Sequence, residues 1–555
     1  MAYAHLVDLH ARQALRFGPR AALRWKQHGL YHDLSWENYR RYALAGAASL
    51  VARGLPPGAH VGLLSENRLE WLLADMAILT AGCVNVPAHA PLSARQIGFQ
   101  FAHAEVSWIF VSTSSQLQKV LAVRDRLPAV RRIVLFDEPS AQLPDDVETW
   151  PSFLRLGYAA LAQQAIELHR RATRLQLDDL ATIMYTSGTT GEPKGVMLTH
   201  GNLLSNALSM LEGIGVDDES IILSWLPYSH IYGRLVDHYV SIAAGATLCL
   251  AESQETLLVN LREIQPTQFS AVPRFYEKVL SAVHCEDTQE MYRRLRRVFG
   301  TRIRWLNSGG APLPIHVARI YHDAGLKLLQ GYGLTETSPV ISFNRPDSNK
   351  IGTVGQAVPG VEIRIAEDGE ILTRGPHVMK GYWKNPAATA EALRDGWLHT
   401  GDLGSLDPDG YLTITGRKKE ILVLSNGKKV VPADIEGRLT GDPLIEQAAV
   451  FGEGKSYLTA LIVPRLDRLR QEAQSLDLPA SLPDADLLEH PRIHDLFARR
   501  IAQALQDLSQ WEQVRKFRLL PRPFTLEADE MTVSLKLRRQ VIYDHFREDI
   551  ERLYT

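Results

Sequence analysis

From about residue 58 the pattern of apolar and polar positions alternates between short strands and amphipathic helices. The apolar run His60–Leu64 predicts a strand that ends at Ser65, a candidate helix N-cap, and apolar residues then recur at helical spacing as far as Gly82. Further strands are predicted at Val84–Val86, Trp108–Val111 and Ile133–Phe136. Because strands that alternate with helices form parallel βαβ units, the pattern predicts an α/β layered architecture.

The pattern changes after about residue 350. Short alternating runs such as Val361–Ile365 and Glu370–Thr373, split by Asp-Gly turn signals, predict an antiparallel β subdomain over about residues 350–416. A compact α+β segment follows, with strands predicted near Glu420–Leu424, Ala448–Phe451 and Leu458–Val463. We therefore predict a large N-terminal domain over residues 1–418 and a small C-terminal domain over residues 419–555.

Composition narrows the function classes. The 555 residues carry 61 Lys and Arg against 63 Asp and Glu, a formal charge of −2, which disfavours nucleic-acid binding and polybasic membrane binding. The three cysteines, Cys83, Cys249 and Cys285, lack the spacing of a disulfide framework or zinc site and fit a reducing compartment. No stretch approaches the ~18 apolar residues of a transmembrane helix. We expect a cytoplasmic protein, and peripheral membrane contact stays open.

The segment YTSGTTGEPKG, residues 185–195, has the composition of a polyphosphate-binding loop. It lies between the apolar run Leu180–Met184 and a helical run, and its glycines free main-chain N–H groups while hydroxyls and a lysine add donors. The phosphate-binding candidates are Thr186, Ser187, Gly188, Thr189, Thr190, Gly191 and Lys194. The spacing differs from GxxxxGK[ST], which disfavours a nucleotide-hydrolysing switch, and a flexible linker would not need the lysine, the proline and the preceding strand.

Two later segments repeat this layout of a strand followed by small residues. The run Arg304–Asn307 leads into SGGAP, residues 308–312, and Lys327–Gln330 leads into GYGLTET, residues 331–337. Turns at the carboxyl ends of parallel strands predict one shared ligand site. Tyr332 offers a flat face for a base, Thr335 a hydroxyl for phosphate and Glu336 a hard oxygen ligand for Mg²⁺. Taken alone, GYG also fits a structural turn, and a single Glu fits a solvated surface.

The order and separation of five motifs carry a family resemblance. YTSGTTGEPKG, SGGAP, YGLTET, HTGDLG (residues 399–404) and TGRKKE (residues 415–420) together resemble the adenylate-forming superfamily of acyl-CoA synthetases, luciferases and peptide-synthetase adenylation domains. The resemblance covers nearly the whole chain. It implies a large domain of βαβ-layered subdomains, a small mobile lid domain, and the use of ATP, Mg²⁺ and coenzyme A.

The resemblance also assigns the nucleotide site. It implies that residues 186–195 hold the β- and γ-phosphates of ATP, that Thr335 contacts the α-phosphate and that Glu336 binds Mg²⁺. Tyr332 would stack on adenine, and Asp402 would accept both ribose hydroxyls with help from Arg417, although a turn role for Asp402 is the alternative. The remaining nucleotide-binding candidates are Gly309, Gly310, Ala311, Pro312, Gly331 and Gly333.

The same resemblance places the moving parts. Lys419 takes the hinge position, although three cations in GRKKE also fit a solvated face. Lys536 aligns with the catalytic lysine and joins Lys194, Thr335 and Glu336 as a catalytic candidate, while Leu535 stands where many relatives have glycine. A lysine there would suit a carboxylate that attacks a phosphate, and the alternative is a surface lysine. The turn at Ser425, Asn426 and Gly427 resembles the one that borders the thiol tunnel.

The segment LPYSHIYG, residues 226–233, resembles the acyl-pocket segment of the family. It implies that Tyr228 and His230 lie at the acid, with His230 near the carboxylate, and that Val272 and Gly309 border the pocket; a packed core histidine is the alternative. Residues 245–279 resemble the long-chain fatty acid branch. We therefore expect conversion of a medium- or long-chain fatty acid to acyl-AMP and then to acyl-CoA. Delivery to an acyl carrier protein and a non-catalytic acyl-adenylate or nucleotide sensor are the alternatives.

Overall fold

A computed structural model describes the chain over residues 3–139, 141–186, 193–476, 478–479, 481–525, 527–532 and 536–555. Among the described residues, the first sheet of the large N-terminal part has nine strands, in which a parallel centre is flanked by antiparallel edges. In spatial order its strands are Gln356–Ala357, Val340–Phe343, Leu328–Gly333, Trp305–Ser308, Gln268–Ala271, Ile221–Ser224, Thr247–Leu250, Ala21–Gln27 and Leu30–Ser35.

The second sheet of this part has eight described strands. They are Gly381–Tyr382, Lys194–Thr199, Leu180–Thr186, Val84–Ala88, His60–Leu64, Trp108–Val111, Arg132–Leu135 and Val147–Thr149. The last six run parallel, whereas the pair that places Thr186 opposite Lys194 is antiparallel. Apolar residues of both sheets and of the helices between them form one large buried cluster, so the two sheets share a core.

The β subdomain and the small C-terminal part follow. In the described chain the subdomain is an antiparallel sheet of Glu362–Ile365, Glu370–Arg374, Trp397–Leu406, Leu393–Arg394 and Leu412–Arg417. The small part contains the hairpin Leu422–Val423 with Lys429–Val430 and a sheet of Ile445–Phe451, Leu458–Pro464 and Val514–Leu519. It has apolar clusters of its own.

Helices cover the sheets. The α-helices are Leu6–Phe17, Trp36–Ala52, Leu69–Thr80, Ala94–His103, Ser114–Leu121, Trp150–Arg174, His200–Ile214, Val240–Ala244, Leu257–Ile264, Pro273–Val283, Thr288–Phe299, Ile315–Asp323, Pro386–Ala392, Pro432–Thr440, Leu466–Ser475, Asp484–Leu488, Pro491–Ala504, Arg539–His545 and Arg547–Arg552. Shorter 3₁₀ turns are Arg124–Arg126, Thr335–Thr337, Lys418–Glu420 and Gln510–Glu512, and Gly233–Tyr239 is a π-helix. None of the helices in the described ranges is both long and apolar enough to cross a bilayer. The cytoplasmic location stays a prediction.

The predicted α/β fold class is confirmed, with two local corrections. Ser65 is not the N-cap of the next helix, because that helix begins at Leu69 after Arg68 and the Ser65 hydroxyl instead donates to the Glu66 carbonyl. The turn predicted at GYG is also wrong, since Gly331–Gly333 continue the strand and pair with Val340–Phe343. Glycine is required there because a Cβ at Gly333 would lie 1.8 Å from the Pro339 carbonyl oxygen.

A buried ion pair fixes the π-helix between the two sheets. Arg234 and Asp75 are fully buried, with Nη2 and Oδ1 2.5 Å apart. Arg234 also donates to Thr182 Oγ1 at 2.8 Å, and Asn85 Nδ2 donates to the same Asp75 oxygen at 2.6 Å. Both of these partners lie on the second sheet, so the network anchors the segment from which His230 projects.

Asp237, on the same π-helix, makes stability depend on pH. Burial raises its pKa to about 7, although hydrogen bonds such as that of Ser224 at 2.7 Å oppose the shift. The folded chain thus keeps a proton that the unfolded chain releases above about pH 4, and stability falls as pH rises from there to about 7. Urea unfolding should therefore show Asp237→Asn gaining stability relative to wild type between about pH 5 and about pH 7.5. A pH-independent difference would contradict this, and Asp347→Asn, at a 99% exposed side chain, is the control.

Candidate active site

A cavity of about 720 Å³ lies where the two large sheets, the β subdomain and the small C-terminal part meet. It brings together residues from the first phosphate motif to the C-terminal lysine. The predicted site residues that border it are Thr186, Lys194, His230, Gly309, Gly310, Gly331, Tyr332, Gly333, Thr335, Glu336, Arg417, Lys419 and Lys536. Such a volume is in the range of small-molecule sites. The loop residues Ser187, Gly188, Thr189, Thr190 and Gly191 lie outside the described residues.

Several predicted residues lie behind or beside the cavity. Ala311 and Pro312 follow Gly310 but are not among the lining residues. Val272 lies one layer back, with Cγ1 4.0 Å from the position that a Cβ on Gly310 would take. Tyr228 is fully buried, does not line the cavity and packs on Trp71 with ring centroids 5.2 Å apart. Tyr228 therefore supports the acyl-pocket segment from the core side.

The turn predicted to border the thiol tunnel lies away from the cavity in this arrangement. Ser425, Asn426 and Gly427 are exposed and join the two strands of the small hairpin. Gly427 has a φ of +79°, which favours glycine, and its N–H donates to the Leu424 carbonyl at 2.8 Å. A role for this turn at the site would therefore require the small domain to reorient.

Asp402 does not line the cavity but is held between Tyr332 and Arg417, which do. The Tyr332 hydroxyl donates to Oδ2 at 2.7 Å, and Arg417 Nε donates to Oδ1 at 2.7 Å. Burial alone would lower the pKa of Arg417, but the nearby Asp402 carboxylate, through its charge and its hydrogen bond, outweighs burial and raises the pKa. Burial, with Asp402, also raises the pKa of Tyr332 well above its ordinary value. The carboxylate is thus fixed in one orientation beside a tyrosine ring, as a ribose and its base would require.

Tyr382 contacts both a carboxylate and a cation of the site. The Tyr382 hydroxyl donates to Glu336 Oε1 at 2.9 Å, and Lys194 Nζ lies 4.9 Å from the centroid of the ring. The sequence does not reveal Tyr382 as a site residue, because its local pattern is that of a core aromatic. Glu336 keeps a second oxygen for a hard cation, and Mg²⁺ usually takes one or two carboxylates and completes its shell with phosphate and water. The residues present therefore fit Mg²⁺ bound together with a polyphosphate.

The small C-terminal part contributes Lys536 to the same cavity. Two contacts hold Lys536 at the cavity. A β-bridge joins Met531 to Leu537, and the Lys536 N–H donates to Thr532 Oγ1 at 3.1 Å. The Lys536 side chain is accessible from the cavity, and protein surrounds this side chain. Burial, as the larger cause, and the positive charge of Arg417 lower the pKa of Lys536. Burial and the nearby Lys536 charge lower the pKa of His230 to about 4, so this imidazole is neutral near pH 7.

The cavity also has an apolar lining. Met184, Met210, Val236, Val340 and Phe343 border it. The sequence does not reveal these residues as site residues, because their helix and strand patterns are those of ordinary core positions. Gly309 also borders the cavity, and a Cβ there would make a tight contact at 3.1 Å from Cζ of Tyr232. One cavity therefore combines polar and charged side chains with apolar ones that suit an aliphatic chain.

Comparison with known families agrees with this geometry. Residues 10–383 match the AMP-binding enzyme family, and residues 419–555 match the AMP-binding enzyme C-terminal domain. The chain belongs to the AMP-binding enzyme family. The resemblance to the adenylate-forming superfamily is thereby confirmed. The division at residue 418 stays a prediction.

Relatives extend over nearly the whole of this AMP-binding enzyme. The long-chain-fatty-acid–CoA ligase FadD15 of Mycobacterium bovis is 34% identical, over 95% of this chain and 93% of the relative. The peroxisomal long chain acyl-CoA synthetase 6 of Arabidopsis thaliana is 30% identical, over 95% of this chain and 82% of the relative.

Solved structures share the fold. The anthranilate CoA ligase AuaEII in complex with anthranoyl-AMP has a TM-score of 0.80 at 19% identity and covers 99% of this chain and 98% of its own. ATP-bound MatB from Rhodopseudomonas palustris has a TM-score of 0.72 at 25% identity, over 98% of this chain and 99% of its own.

Proposed function

We propose that this AMP-binding enzyme activates a medium- or long-chain fatty acid with ATP and transfers the acyl group to coenzyme A. The observation that carries the proposal is the cavity that Tyr332, Lys194, Glu336 and Lys536 border together with apolar side chains, with Asp402 hydrogen-bonded to Tyr332 next to it. The names of the relatives from Mycobacterium bovis and Arabidopsis thaliana support the choice of fatty acid and coenzyme A.

The first half-reaction joins two anions. A carboxylate oxygen of the acid attacks the α-phosphorus of ATP, a new O–P bond forms, and the bond to pyrophosphate breaks. Asp402 would hold the ribose, and Lys194 the phosphates. Lys536 would lie between the two negative groups and stabilise the charge of the transition state. His230, neutral near pH 7, adds no further charge beside the acid.

Glu336 is the residue that would hold Mg²⁺. Its partner Tyr382 fixes the carboxylate through the 2.9 Å hydrogen bond. When bound, the ion would neutralise part of the charge of the phosphate groups. Thr335, in the same 3₁₀ turn, would place its hydroxyl at the α-phosphate.

The second half-reaction uses the acyl-AMP. The thiol of coenzyme A attacks the acyl carbon, the thioester forms, and AMP leaves with its bridging oxygen. In the arrangement described, Lys536 lies in the cavity and the turn at residues 425–427 lies outside it. We propose that the small domain turns about Lys419, which withdraws Lys536 and brings that turn to the site.

The acid specificity can be tested by ATP–pyrophosphate exchange. A panel from acetate to palmitate, with benzoates included, should show the highest exchange with medium- or long-chain acids. The physical reason is that each CH₂ buried against the apolar lining of the cavity contributes about 0.8 kcal/mol. A preference for acetate or for an aromatic acid would overturn the fatty-acyl assignment.

The acceptor can be tested separately. Free coenzyme A and a phosphopantetheine-loaded acyl carrier protein should be offered to enzyme that has formed acyl-AMP. We expect thioester on free coenzyme A, and thioester on the carrier protein alone would favour the acyl-AMP ligase alternative. A nucleotide or acyl-adenylate sensor would bind ATP without exchange; the presence of both Glu336 and Lys536 at the cavity argues against it.

A further inference from the structure

Glu370 is a buried carboxylate at the edge of the cavity that the proposed mechanism does not use. It begins the strand Glu370–Arg374, borders the cavity and is only 5% exposed. A buried carboxylate costs free energy unless hydrogen bonds and opposite charges compensate for the loss of water. The groups that Glu370 contacts therefore indicate what it does.

One oxygen of Glu370, Oε1, holds the irregular stretch of the strand Trp397–Leu406 that leads to Asp402. The Gly401 N–H donates to Oε1 at 2.9 Å, and His399 Nδ1 lies 3.1 Å from Oε2. Gly401 has a φ of +72°, a backbone conformation that few other residues adopt without strain. Among the described residues this is the hydrogen bond of the Gly401 N–H, and without it the position of the next residue, Asp402, would be less defined.

The other oxygen of Glu370, Oε2, which His399 also contacts, is bound to Lys418 at the end of the large domain. Lys418 Nζ donates to Oε2 at 3.2 Å and to Asp368 Oδ2 at 2.6 Å. Lys418 directly precedes Lys419, the proposed hinge. Burial alone would raise the pKa of Glu370, but the hydrogen bonds from His399, Gly401 and Lys418 outweigh it and lower the pKa. The carboxylate form therefore persists near pH 7 and keeps its attraction for Lys418.

We propose that Glu370 is a positioning residue that ties the ribose-binding part of the strand Trp397–Leu406 to the large-domain side of the hinge. The proposal rests on the proposed function, in which Asp402 binds the ribose and the small domain turns about Lys419. Arg417 is bound to Asp402 at 2.7 Å, and Lys418 is bound to Glu370. Both residues before the hinge thus stay with the large domain, and the rotation is confined to Lys419.

The two contacts of Glu370 can be separated by substitution. Glu370→Gln keeps an oxygen for the Gly401 N–H but removes the charge that faces Lys418, whereas Glu370→Ala removes both. In acyl-adenylate formation, Glu370→Ala should raise KM for ATP about tenfold or more, and Glu370→Gln should stay within about threefold of wild type. Calorimetric binding of AMP, which requires no turnover, should show the same order of affinities.

Loss of the contact between Glu370 and Lys418 should affect the second half-reaction, the transfer to coenzyme A. Glu370→Gln and Lys418→Met should each lower turnover with coenzyme A about two- to threefold while acyl-adenylate formation keeps its kcat, because an ion pair with one solvent-exposed partner, here Lys418, has a modest effect. The double variant should match Lys418→Met alone, since both changes remove the same contact. Lys350→Met is the matched control: Lys350 pairs with Asp407 at 2.5 Å, and its side chain is 47% exposed against 46% for Lys418.

The outcomes distinguish this inference from the proposed function. If wild-type protein shows no fatty-acid-dependent exchange, the proposed function is wrong. If wild type is active and Glu370→Ala keeps the wild-type KM for ATP, the positioning role is wrong. Equal loss of AMP affinity in Glu370→Gln and Glu370→Ala, or additive loss of turnover in the double variant, would also overturn it. The Gln and Met variants decide the matter even if Glu370→Ala fails to fold.

Discussion

Lys536→Ala should lower the rate of acyl-adenylate formation by about 10²–10³-fold. Lys536 borders the cavity with His230, Glu336 and Arg417, so its charge lies where an attacking carboxylate and a phosphate would meet. Thioester formation from supplied acyl-AMP should stay within about threefold of wild type, because that step needs no stabilisation of the pentavalent phosphorus. The two half-reactions are measured by pyrophosphate exchange and by release of AMP from synthetic acyl-AMP.

A matched control separates the catalytic role of Lys536 from general effects of charge. Lys516→Ala removes an exposed lysine of the small domain, on the strand Val514–Leu519, and should change neither half-reaction. If Lys536→Ala lost both half-reactions equally, the lysine would have a structural role. If it lost neither, the assignment of Lys536 would be wrong.

Lys419→Pro should have the reverse effect. Lys419 lies in the exposed 3₁₀ turn Lys418–Glu420, and proline fixes φ near −65°, a value that such a turn already uses. The arrangement with Lys536 in the cavity should therefore persist, and acyl-adenylate formation should stay within about threefold of wild type. Turnover with coenzyme A should fall about tenfold or more, because the small domain cannot reorient.

The control for the hinge is a substitution that does not restrict the backbone. Lys419→Ala removes the side chain but leaves φ unrestricted, and turnover with coenzyme A should remain near that of wild type. Normal turnover in Lys419→Pro would show that the rotation takes place elsewhere. Equal losses in the Pro and Ala variants would show that the lysine side chain matters rather than backbone rotation.

The sequence predicted the parts of the site that local patterns encode. Glycines and hydroxyls directly after apolar runs marked the ends of parallel strands, and these ends meet at one cavity in the structure. The strand Trp108–Val111 has the predicted bounds. The error at Gly331–Gly333 has a physical cause: glycine there permits a close approach to the neighbouring strand, and a sequence pattern cannot distinguish this need from that of a turn.

The residues that sequence analysis missed depend on distant partners. Asp75 and Arg234 are 159 residues apart, and each alone has the pattern of a surface charge. Glu370 follows an Asp-Gly turn, where a carboxylate is normally solvated, yet it is buried against His399 and Gly401. Such pairs become visible only when the fold brings them together.

In the proposed mechanism, the carboxylate of the acid attacks the α-phosphorus of ATP. Palmitate labelled with ¹⁸O in both carboxylate oxygens tests this most directly, when one full turnover with ATP and coenzyme A is followed by mass spectrometry of the products. We predict one ¹⁸O atom in the phosphate of AMP and one in the acyl-CoA carbonyl. Label in pyrophosphate or inorganic phosphate, or AMP without label, would contradict the account.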